Sequence, residues 1–470
     1  MNNKRIVRWV IVLFLLAALP GMTAALAQGQ EPPAKQPLPA VSELGETAVL
    51  IPWANSESEP NNTFATADVP GGPQYRSGRI VIGGTIGQWG DIDYYRLWTP
   101  VTYSDDTNHA VLIDVEAEAI GSPLDAVICL YSDDFVELAC SDDTDTYDSM
   151  LYYNFESDRV HYLSVQDYDN DDGGSAYKYQ ILVSSPLLIS AAAANLGTGN
   201  VAGIPFQSGD VLAWSSFQPQ DSTTIYEKWV MFLDLSDLNV KGNLTNLAGG
   251  WRNSDYLLVG FGANLNLPGI TGKVTPWDVV VFNPTQVGPV TSGVFQRWWA
   301  GKNQGLTTTA EKIDAIDWPN WSGVTRLYVS TMGAASVRGP SAATLKLADE
   351  DVGLWIGTGT PYWVNTFDGD RPSGFWWGLG KEDVIAFSRD TDLAGEDCFE
   401  EQDLIVFQGP ATVWYEDENE ELQTLNVTQK DIVSFEDDGC WGVGYDINVI
   451  WHGPDHGWNY NIDAIEWTPN

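Results

Sequence analysis

The sequence predicts an all-β protein, and three observations lead to this prediction. Helical periodicity is almost absent, while short alternating apolar and polar runs, such as 113–117 and 177–183, are separated by Gly, Pro, Asn and Asp. From Leu187 onward the sequence consists of four similar repeat units. The 470 residues include 21 Trp, 19 Tyr and 16 Phe, which supply large cores and exclude disorder for most of the length.

The first residues have the pattern of an export signal. Lys4, Arg5 and Arg8 precede an apolar run over 9–19, and Ala25-Leu-Ala27 places small residues where a signal peptide is cleaved. We therefore expect a signal peptide over 1–27 and a secreted or cell-surface protein. A retained anchor is the alternative, but the apolar run is broken at Pro20, short of the roughly 20 residues of a spanning helix. No membrane span is expected after cleavage.

Residues 28–56 are rich in Pro, Ala, Glu and Gln, which predicts a linker. The formal net charge of −41 argues against nucleic-acid binding, because that affinity comes mainly from Lys and Arg that neutralise phosphates. Divalent cations or basic partners are more easily accommodated. Acidity that keeps an extracellular protein soluble explains the same charge.

The four Cys form two local pairs, as is usual in an exported protein. Cys129 and Cys140 flank two apolar stretches around a polar turn near Asp134, so a hairpin would place them opposite each other. Cys398 and Cys440 are predicted to pair as well. A metal site is the competing interpretation of these thiols, but no Cys-x-x-Cys spacing is present.

Four strand types recur in each repeat. Opening strands begin at Leu187, Leu257, Leu327 and Leu404, with spacings of 70, 70 and 77 residues. Second strands begin at Asp210, Asp278, Asp351 and Asp431, and aromatic third strands lie around Trp229, Trp298, Trp363 and Trp441. Closing strands include the nearly identical segments 313–318 and 462–467.

Four strands in each of four units favour a four-bladed β-propeller over 187–470. Two packed β-sandwiches, each built from a pair of repeats, are the alternative. The Ile-Asp-Ala-Ile signature of the closing strands also resembles the blade motif of hemopexin-type propellers, over a very short match.

The block before the repeats carries a second set of motifs. In order they are Glu57-Ser-Glu-Pro-Asn-Asn62, Gly84-Thr-Ile86, Asp91-Ile-Asp-Tyr-Tyr95, Ser122-Pro-Leu-Asp125 and His161-Tyr-Leu-Ser-Val165. On these residues, 57–183 resembles the bacterial pre-peptidase C-terminal domain and the related collagen-binding domains of clostridial collagenases. The resemblance implies a jelly-roll β-sandwich over 57–185 without catalytic residues of its own. The family usually follows a protease, whereas this block precedes the repeats.

The resemblance also implies a calcium site. Carried over position by position, its ligands would be Glu57, Glu59, Asn61, Asn62, Asp91 and Asp93. Carboxylate and amide oxygens suit calcium, which takes six to eight oxygen ligands. The alternative is structural: Asn62 and Thr63 would form a turn and Asp91 would cap a strand. A second acidic run over 167–172 lacks EF-hand spacing and is predicted to be a hairpin turn.

No catalytic motif is present in the repeats. The recurring Asp residues that begin the second strands could ring an axial cation, but an Asp before a strand more often caps a turn. His452 and His456 flank Gly453-Pro454, which excludes a metal-binding helix. The pairs Trp298-Trp299 and Trp376-Trp377 could stack on a sugar or anchor a partner, and burial between sheets is favoured instead.

The sequence therefore predicts an exported, non-catalytic binding or interaction protein. Its partner would be an extracellular protein or a polysaccharide. The alternative is a secreted hydrolase whose active site lies at the mouth of the repeat domain, and buried carboxylates converging in one cleft there would favour it.

Overall fold

The computed structural model describes sixteen segments of the chain, and the protein is all-β within them, as predicted. All of these segments belong to one compact unit, Ser42–Asn470. The described residues are 55–70, 80–98, 108–142, 148–156, 159–184, 186–191, 198–217, 226–241, 244–248, 257–318, 326–357, 359–367, 384–392, 400–416, 422–437 and 445–467. The predicted signal peptide, nearly all of the 28–56 linker, Cys398, Cys440, Trp376 and Trp377 lie outside them.

Nine strands form two sheets in the N-terminal region. The strands are β1 Asn55–Ser56, β2 Ile80–Thr85, β3 Ile92–Trp98, β4 Asn108–Glu116, β5 Ala126–Tyr131, β6 Glu137–Asp142, β7 Met150–Glu156, β8 Val160–Asp167 and β9 Lys178–Ser184. One sheet has the order β1-β2-β9-β4-β7, and the other has the order β3-β8-β5-β6. A short 3-10 turn, Glu118–Ile120, lies between β4 and β5.

The two sheets share one apolar core, which makes this region sandwich-like. Ile82, Ile113 and Ile181 from the five-stranded sheet are fully buried with Ile128 and Leu163 from the four-stranded sheet. Strands with alternating burial, such as β5, present every second side chain to this core.

The predicted Cys129–Cys140 disulfide is confirmed. The two residues lie directly opposite each other in the β5–β6 hairpin, with an S–S distance of 2.08 Å. The hairpin turn is closed by the Ser132 N–H, which donates to the Val136 carbonyl.

The repeat region contributes twenty-two further strands among the described residues. They are β10 Leu187–Ala191, β11 Gly199–Val201, β12 Ile204–Phe206, β13 Val211–Phe217, β14 Tyr226–Leu233, β15 Leu244–Ala248, β16 Leu257–Phe261, β17 Asp278–Gln286, β18 Ser292–Ala300, β19 Ile313–Asp317, β20 Arg326–Thr331, β21 Ala335–Arg338, β22 Thr344–Leu347, β23 Val352–Ile356, β24 Tyr362–Phe367, β25 Val384–Asp392, β26 Glu400–Phe407, β27 Ala411–Glu416, β28 Leu422–Val427, β29 Asp431–Asp437, β30 Tyr445–His452 and β31 Ile462–Trp467. Short 3-10 turns lie at Gly301–Gln304, Pro340–Ala342 and Gly453–His456.

These strands form four antiparallel four-stranded sheets, here called repeat sheets 1 to 4. Their orders are β14-β13-β10-β31, β15-β16-β17-β18, β19-β20-β23-β24 and β25-β26-β29-β30. Two-stranded hairpins, β11-β12, β21-β22 and β27-β28, are inserted in sheets 1, 3 and 4.

The sheets are offset by one strand from the units read in the sequence. Each closing strand pairs with the opening strand of the following unit, and the last one, β31, pairs with β10 of the first. The four closing strands, β31, β15, β19 and β25, also contact one another in cyclic order. β31 is therefore built into repeat sheet 1.

Tryptophans fill the space between neighbouring repeat sheets. Trp299 of sheet 2 packs edge-on against Trp355 and Trp363 of sheet 3, with ring centroids 5.7 and 6.1 Å away. Sheets 4 and 1 meet through an equivalent set, Trp451, Trp214 and Trp229. Trp299 is buried and Trp298 is half-buried against Trp318, in line with the favoured interpretation of this pair.

The sandwich packs directly on repeat sheet 1. Tyr152 of β7 lies in the same core as Phe232 of β14, with ring centroids 4.9 Å apart. Lys228 of β14 forms ion pairs with Asp114 and Glu116 of β4. Apolar packing and ion pairs thus join the two parts. No helix of the described residues is long and apolar enough to cross a bilayer.

Acidification should destabilise the sandwich through His161. Its ring is buried and stacks on Phe155 with centroids 4.3 Å apart, and burial lowers its pKa to about 4. Between the ordinary pKa of 6.5 and about 4, the unfolded chain binds a proton that the folded chain does not. The free energy of unfolding should therefore fall across this window, by on the order of 1 to 3 kcal/mol from this residue.

Denaturant unfolding at pH 7 and pH 4.5 would check this expectation. The apolar variant His161→Phe keeps a ring for stacking and should lose less stability on acidification than the wild type. Equal losses in the two proteins would show that other groups cause the acid sensitivity.

Candidate metal centre

The six residues nominated as calcium ligands lie together beside the start of β3. The segment 61–68 runs along the free edge of this strand and is hydrogen-bonded to it. Tyr94 N–H donates to the Asn61 carbonyl at 3.1 Å, and Arg96 N–H donates to the Asp68 carbonyl at 2.7 Å. Glu57 is held from the other side, because its N–H donates to the Gly83 carbonyl of β2 at 3.1 Å.

Three carboxylates converge at this position. One oxygen from each of Glu59, Asp91 and Asp93 lies within 4.8 Å of the other two. Asp91 and Asp93 are buried, whereas Glu59 is exposed. Three negative groups this close repel one another unless a cation or protons compensate their charge.

Two oxygens of the centre are buried and accept no hydrogen bond from the residues that the structure describes, although the Asp93 and Glu57 carboxyl groups lie within hydrogen-bonding reach of each other. They are the side-chain oxygens Asn61 Oδ1 and Asp93 Oδ1, and both residues are fully buried. Buried polar atoms normally have a partner, and an unpaired one costs roughly 1–3 kcal/mol. A cation held at this position would supply the missing partner.

A tyrosine from a distant strand completes the buried side of the centre. The Tyr179 hydroxyl of β9 donates to Asp93 Oδ2 at 2.5 Å, and it lies 2.6 Å from the Tyr95 hydroxyl. It also lies 3.4 Å from Glu57 Oε2. Gly84 makes room for this contact, since a Cβ there would come within 2.2 Å of the Tyr179 hydroxyl.

Burial, followed by the neighbouring Glu57 carboxyl, raises the pKa of Asp93 to about 9. Burial also raises the pKa of Glu57, and the charges of Glu59 and Asp91 add to this effect. Without a cation the centre therefore favours protonated carboxyl groups. A divalent ion would displace these protons and ionise the carboxylates.

The remaining nominated residues have structural partners. Asn62 Nδ2 donates to Asp91 Oδ1 at 2.5 Å, and Gly87 N–H donates to Asp91 Oδ2 at 2.7 Å. Glu59 accepts a hydrogen bond from Asn61 N–H at 3.0 Å. Asp91 thus helps to hold the turn before β3. This agrees with the alternative interpretation, in which Asp91 caps the strand.

The donor set fits calcium. Glu57, Glu59, Asp91 and Asp93 offer carboxylate oxygens and Asn61 offers an amide oxygen, and hard cations such as calcium prefer these ligands. Asn62 presents its NH₂ group to Asp91, so it supports the ligand set.

The sequence assigned no role in this centre to Tyr95, Tyr179, Gly84 or Asp68, although Gly84 and Tyr95 belong to the motifs that carry the family resemblance. Asp68 holds the ligand segment in place by accepting hydrogen bonds from Ser58 N–H at 2.8 Å and from Ser58 Oγ at 2.7 Å. Tyr179 is 86 residues from Asp93. No local signal in the sequence links the two; they lie on different sheets, and the packing of the two sheets on each other brings them together.

The second acidic run forms a turn, as predicted. Asn170 N–H donates to the Asp167 carbonyl at 3.0 Å, and Asn170 has a φ of 51°. One oxygen from each of Asp167, Asp171 and Asp172 lies within 4.8 Å of the others, and burial raises the pKa of Asp167. Asp171 and Asp172 are exposed, which is also common in solvated turns without an ion.

The recurring Asp residues of the repeats cap turns, as the favoured interpretation predicted. Each accepts a hydrogen bond from the N–H three residues earlier, at 2.7–2.9 Å; the four are Asp210, Asp278, Asp351 and Asp431. Asp278 also pairs with Arg297.

The two histidines near the C-terminus bind different carboxylates. His452 contacts Asp431, and His456 Nδ1 lies 2.6 Å from Glu227 Oε1. His452 precedes a 3-10 turn, Gly453–His456, whose last residue is His456; the absence of an α-helix over these residues agrees with the expectation of a polar loop.

Raised carboxyl pKa values also occur in the repeats. Burial raises the pKa of Asp463 in β31 to about 6. Burial and the neighbouring Asp349 raise that of Glu350 to about 7. Asp463 lies in repeat sheet 1, whereas Glu350 lies in the turn before β23 of sheet 3.

No family model matches the chain, and no curated protein matches it. Among solved structures, the crystal structure of the pre-peptidase C-terminal domain of a collagenase from Bacillus anthracis is similar to part of it. The sequence identity is 18%, the match covers 23% of this chain and 89% of that chain, and the TM-score is 0.18.

Proposed function

We propose that this chain is an exported, non-catalytic binding protein whose N-terminal sandwich holds a calcium ion. The observation that carries the proposal is the convergence of the Glu59, Asp91 and Asp93 carboxylates beside Asn61 Oδ1, a buried oxygen that has no hydrogen-bond partner among the described residues. The role of the ion is structural. It would join the segment after β1 to the start of β3.

The sandwich is proposed to be a module of the pre-peptidase C-terminal type. The motifs between Glu57 and Val165 occur in the family's order, and three of the ligands nominated from that resemblance, Glu59, Asp91 and Asp93, lie close together. Such a module accompanies an active or binding domain, and here the accompanying domain is the repeat region. Its partner would be an extracellular protein or a polysaccharide.

The repeat region is proposed to be a four-bladed β-propeller. Two observations support this architecture: the closing strands contact one another cyclically, and β31 at the chain end pairs with β10 at the start of the repeats. A propeller closes its ring in this way, so that no blade is left unpartnered on one side.

Calcium should stabilise the protein against heat. An ion that binds only the folded state adds about 2.7 kcal/mol at a concentration 100 times its Kd. The unfolding midpoint of the sandwich should then rise by roughly 5–10 °C relative to the protein in chelator. Differential scanning calorimetry with calcium and with EGTA measures this shift.

The variant Asp93→Asn should lose most of the shift, because it removes a buried carboxylate from the ligand set. Asp455→Asn is the matched control, since Asp455 is an exposed carboxylate in the repeats. Equal midpoints with millimolar calcium and with EGTA would overturn the calcium proposal.

A further inference from the structure

A pocket lies on the outer face of the four-stranded sandwich sheet, between the 63–69 segment and the tip of the β5–β6 hairpin. Its volume is about 600 Å³, within the range of small-molecule sites. Its principal lining residues are Phe64, Val69, Arg96, Phe135 and Tyr162. None of them belongs to the proposed calcium centre.

The rings of this pocket form one cluster around Phe64. Phe135 stacks on Phe64 with centroids 4.6 Å apart, and Tyr162 meets Phe64 edge-on at 5.3 Å. Phe135 is 51% exposed although it is a large apolar residue. Its φ of 64° lies in the left-handed region, which is unfavourable for a bulky side chain. Strain of this kind is maintained where the surrounding structure imposes it, often at binding sites.

Arg96 is the only charged residue among those that line the pocket. No hydrogen bond or ion pair joins its guanidinium to a described residue. The Arg96 side chain is exposed at the pocket. A ligand's carboxylate could therefore take both arms of the guanidinium, a geometry that arginine favours.

The backbone beside the pocket is not available to a peptide. The outer edge of β3 is already covered, because Asp68 N–H donates to the Tyr94 carbonyl and Arg96 N–H donates to the Asp68 carbonyl. An extended peptide cannot add a strand there, as it would in β-augmentation. The ligand must be recognised through ring faces and one cation.

We propose that this pocket binds a pyranose sugar that carries a carboxylate, such as a uronic acid unit of an extracellular polysaccharide. The apolar face of the sugar stacks on the exposed ring of Phe135, and its carboxylate pairs with Arg96. The inference rests on the proposed binding function and specifies its ligand class, but it does not require calcium.

Titration calorimetry of the full chain with galacturonic acid oligomers and with neutral galactose oligomers tests the proposal. The buffer contains EDTA, so that calcium bridging by the acidic oligomers is removed. The acidic oligomers should bind, and the neutral ones about tenfold more weakly, as expected for loss of one charge-assisted contact. Arg96→Gln should weaken acidic oligomers about tenfold and leave neutral ones unchanged.

Phe135→Ala should abolish binding of both oligomers, while Arg338→Gln, at an exposed arginine of β21, should change neither. A proline-rich peptide serves as the third ligand. Absence of binding by the acidic oligomers, equal binding to wild type and Arg96→Gln, or binding of the peptide alone would each overturn the proposal. A calcium-dependent melting shift without sugar binding would refute this inference and leave the calcium proposal standing. Sugar binding without a calcium-dependent melting shift would refute the calcium proposal and leave this inference standing.

Discussion

A chain that ends at Asn461, and therefore lacks β31, is expected to lose the cooperative folding of its repeat region. Ile462, Ala464 and Ile465 of this strand are almost completely buried, and β31 pairs with β10 over most of its length. Truncating one buried Ile to Ala costs roughly 2–5 kcal/mol, so removing both should cost roughly 5 kcal/mol or more. That loss approaches the whole net stability of a domain.

Urea unfolding monitored by tryptophan fluorescence measures this effect, because the Trp clusters between the sheets report on their packing. A chain that ends at Trp467 keeps all of β31 and is the control. If the chain that ends at Asn461 unfolded with the midpoint of the wild type, the proposal of a ring closed by β31 would fail.

Loss of the Cys129–Cys140 disulfide is expected to destabilise the sandwich by about 3 kcal/mol. The bond closes a loop with a sequence separation of 11 residues, and the chain-entropy model gives about this value for a loop of that length. The double variant Cys129→Ser, Cys140→Ser removes the bond without leaving a free thiol. Denaturant unfolding of wild type and variant gives the difference.

Reduction of the wild type should reproduce the midpoint of the double variant for the sandwich transition. Thiol quantification in the denatured, unreduced double variant then tests whether Cys398 and Cys440 are paired, since they are its remaining cysteines. A double variant as stable as the wild type would mean that packing of the β5–β6 hairpin alone fixes this region.

The strands, the order of the repeats and the disulfide were predictable because their signals are local. Alternating residues in β5 and a polar turn at Asp134 are enough to place Cys129 opposite Cys140. The offset of the sheets was not predictable from the repeat spacing. A repeat pattern is the same whether the closing strand pairs within its own unit or with the next, and only the pairing of β31 with β10 distinguishes the two.

The proposed calcium centre was also predictable only in part. Its acidic residues lie in two short motifs and could be nominated from them. The buried partners could not, because Tyr179 of β9 reaches Asp93 of β3 through the packing of two different sheets on each other. The aromatic pocket was also missed. Phe64, Arg96 and Phe135 are far apart in sequence, and Phe135 itself has a left-handed φ at a position where no glycine signals the turn.

The central claim is that the sandwich holds one calcium ion in the centre formed by Glu57, Glu59, Asn61, Asp91 and Asp93. Calorimetric titration of the chelator-stripped full chain with calcium tests it most directly. We predict saturable binding that is lost in Asp93→Asn, with protons released on binding as the raised pKa of Asp93 requires. Absence of binding, or undiminished binding by Asp93→Asn, would contradict the claim.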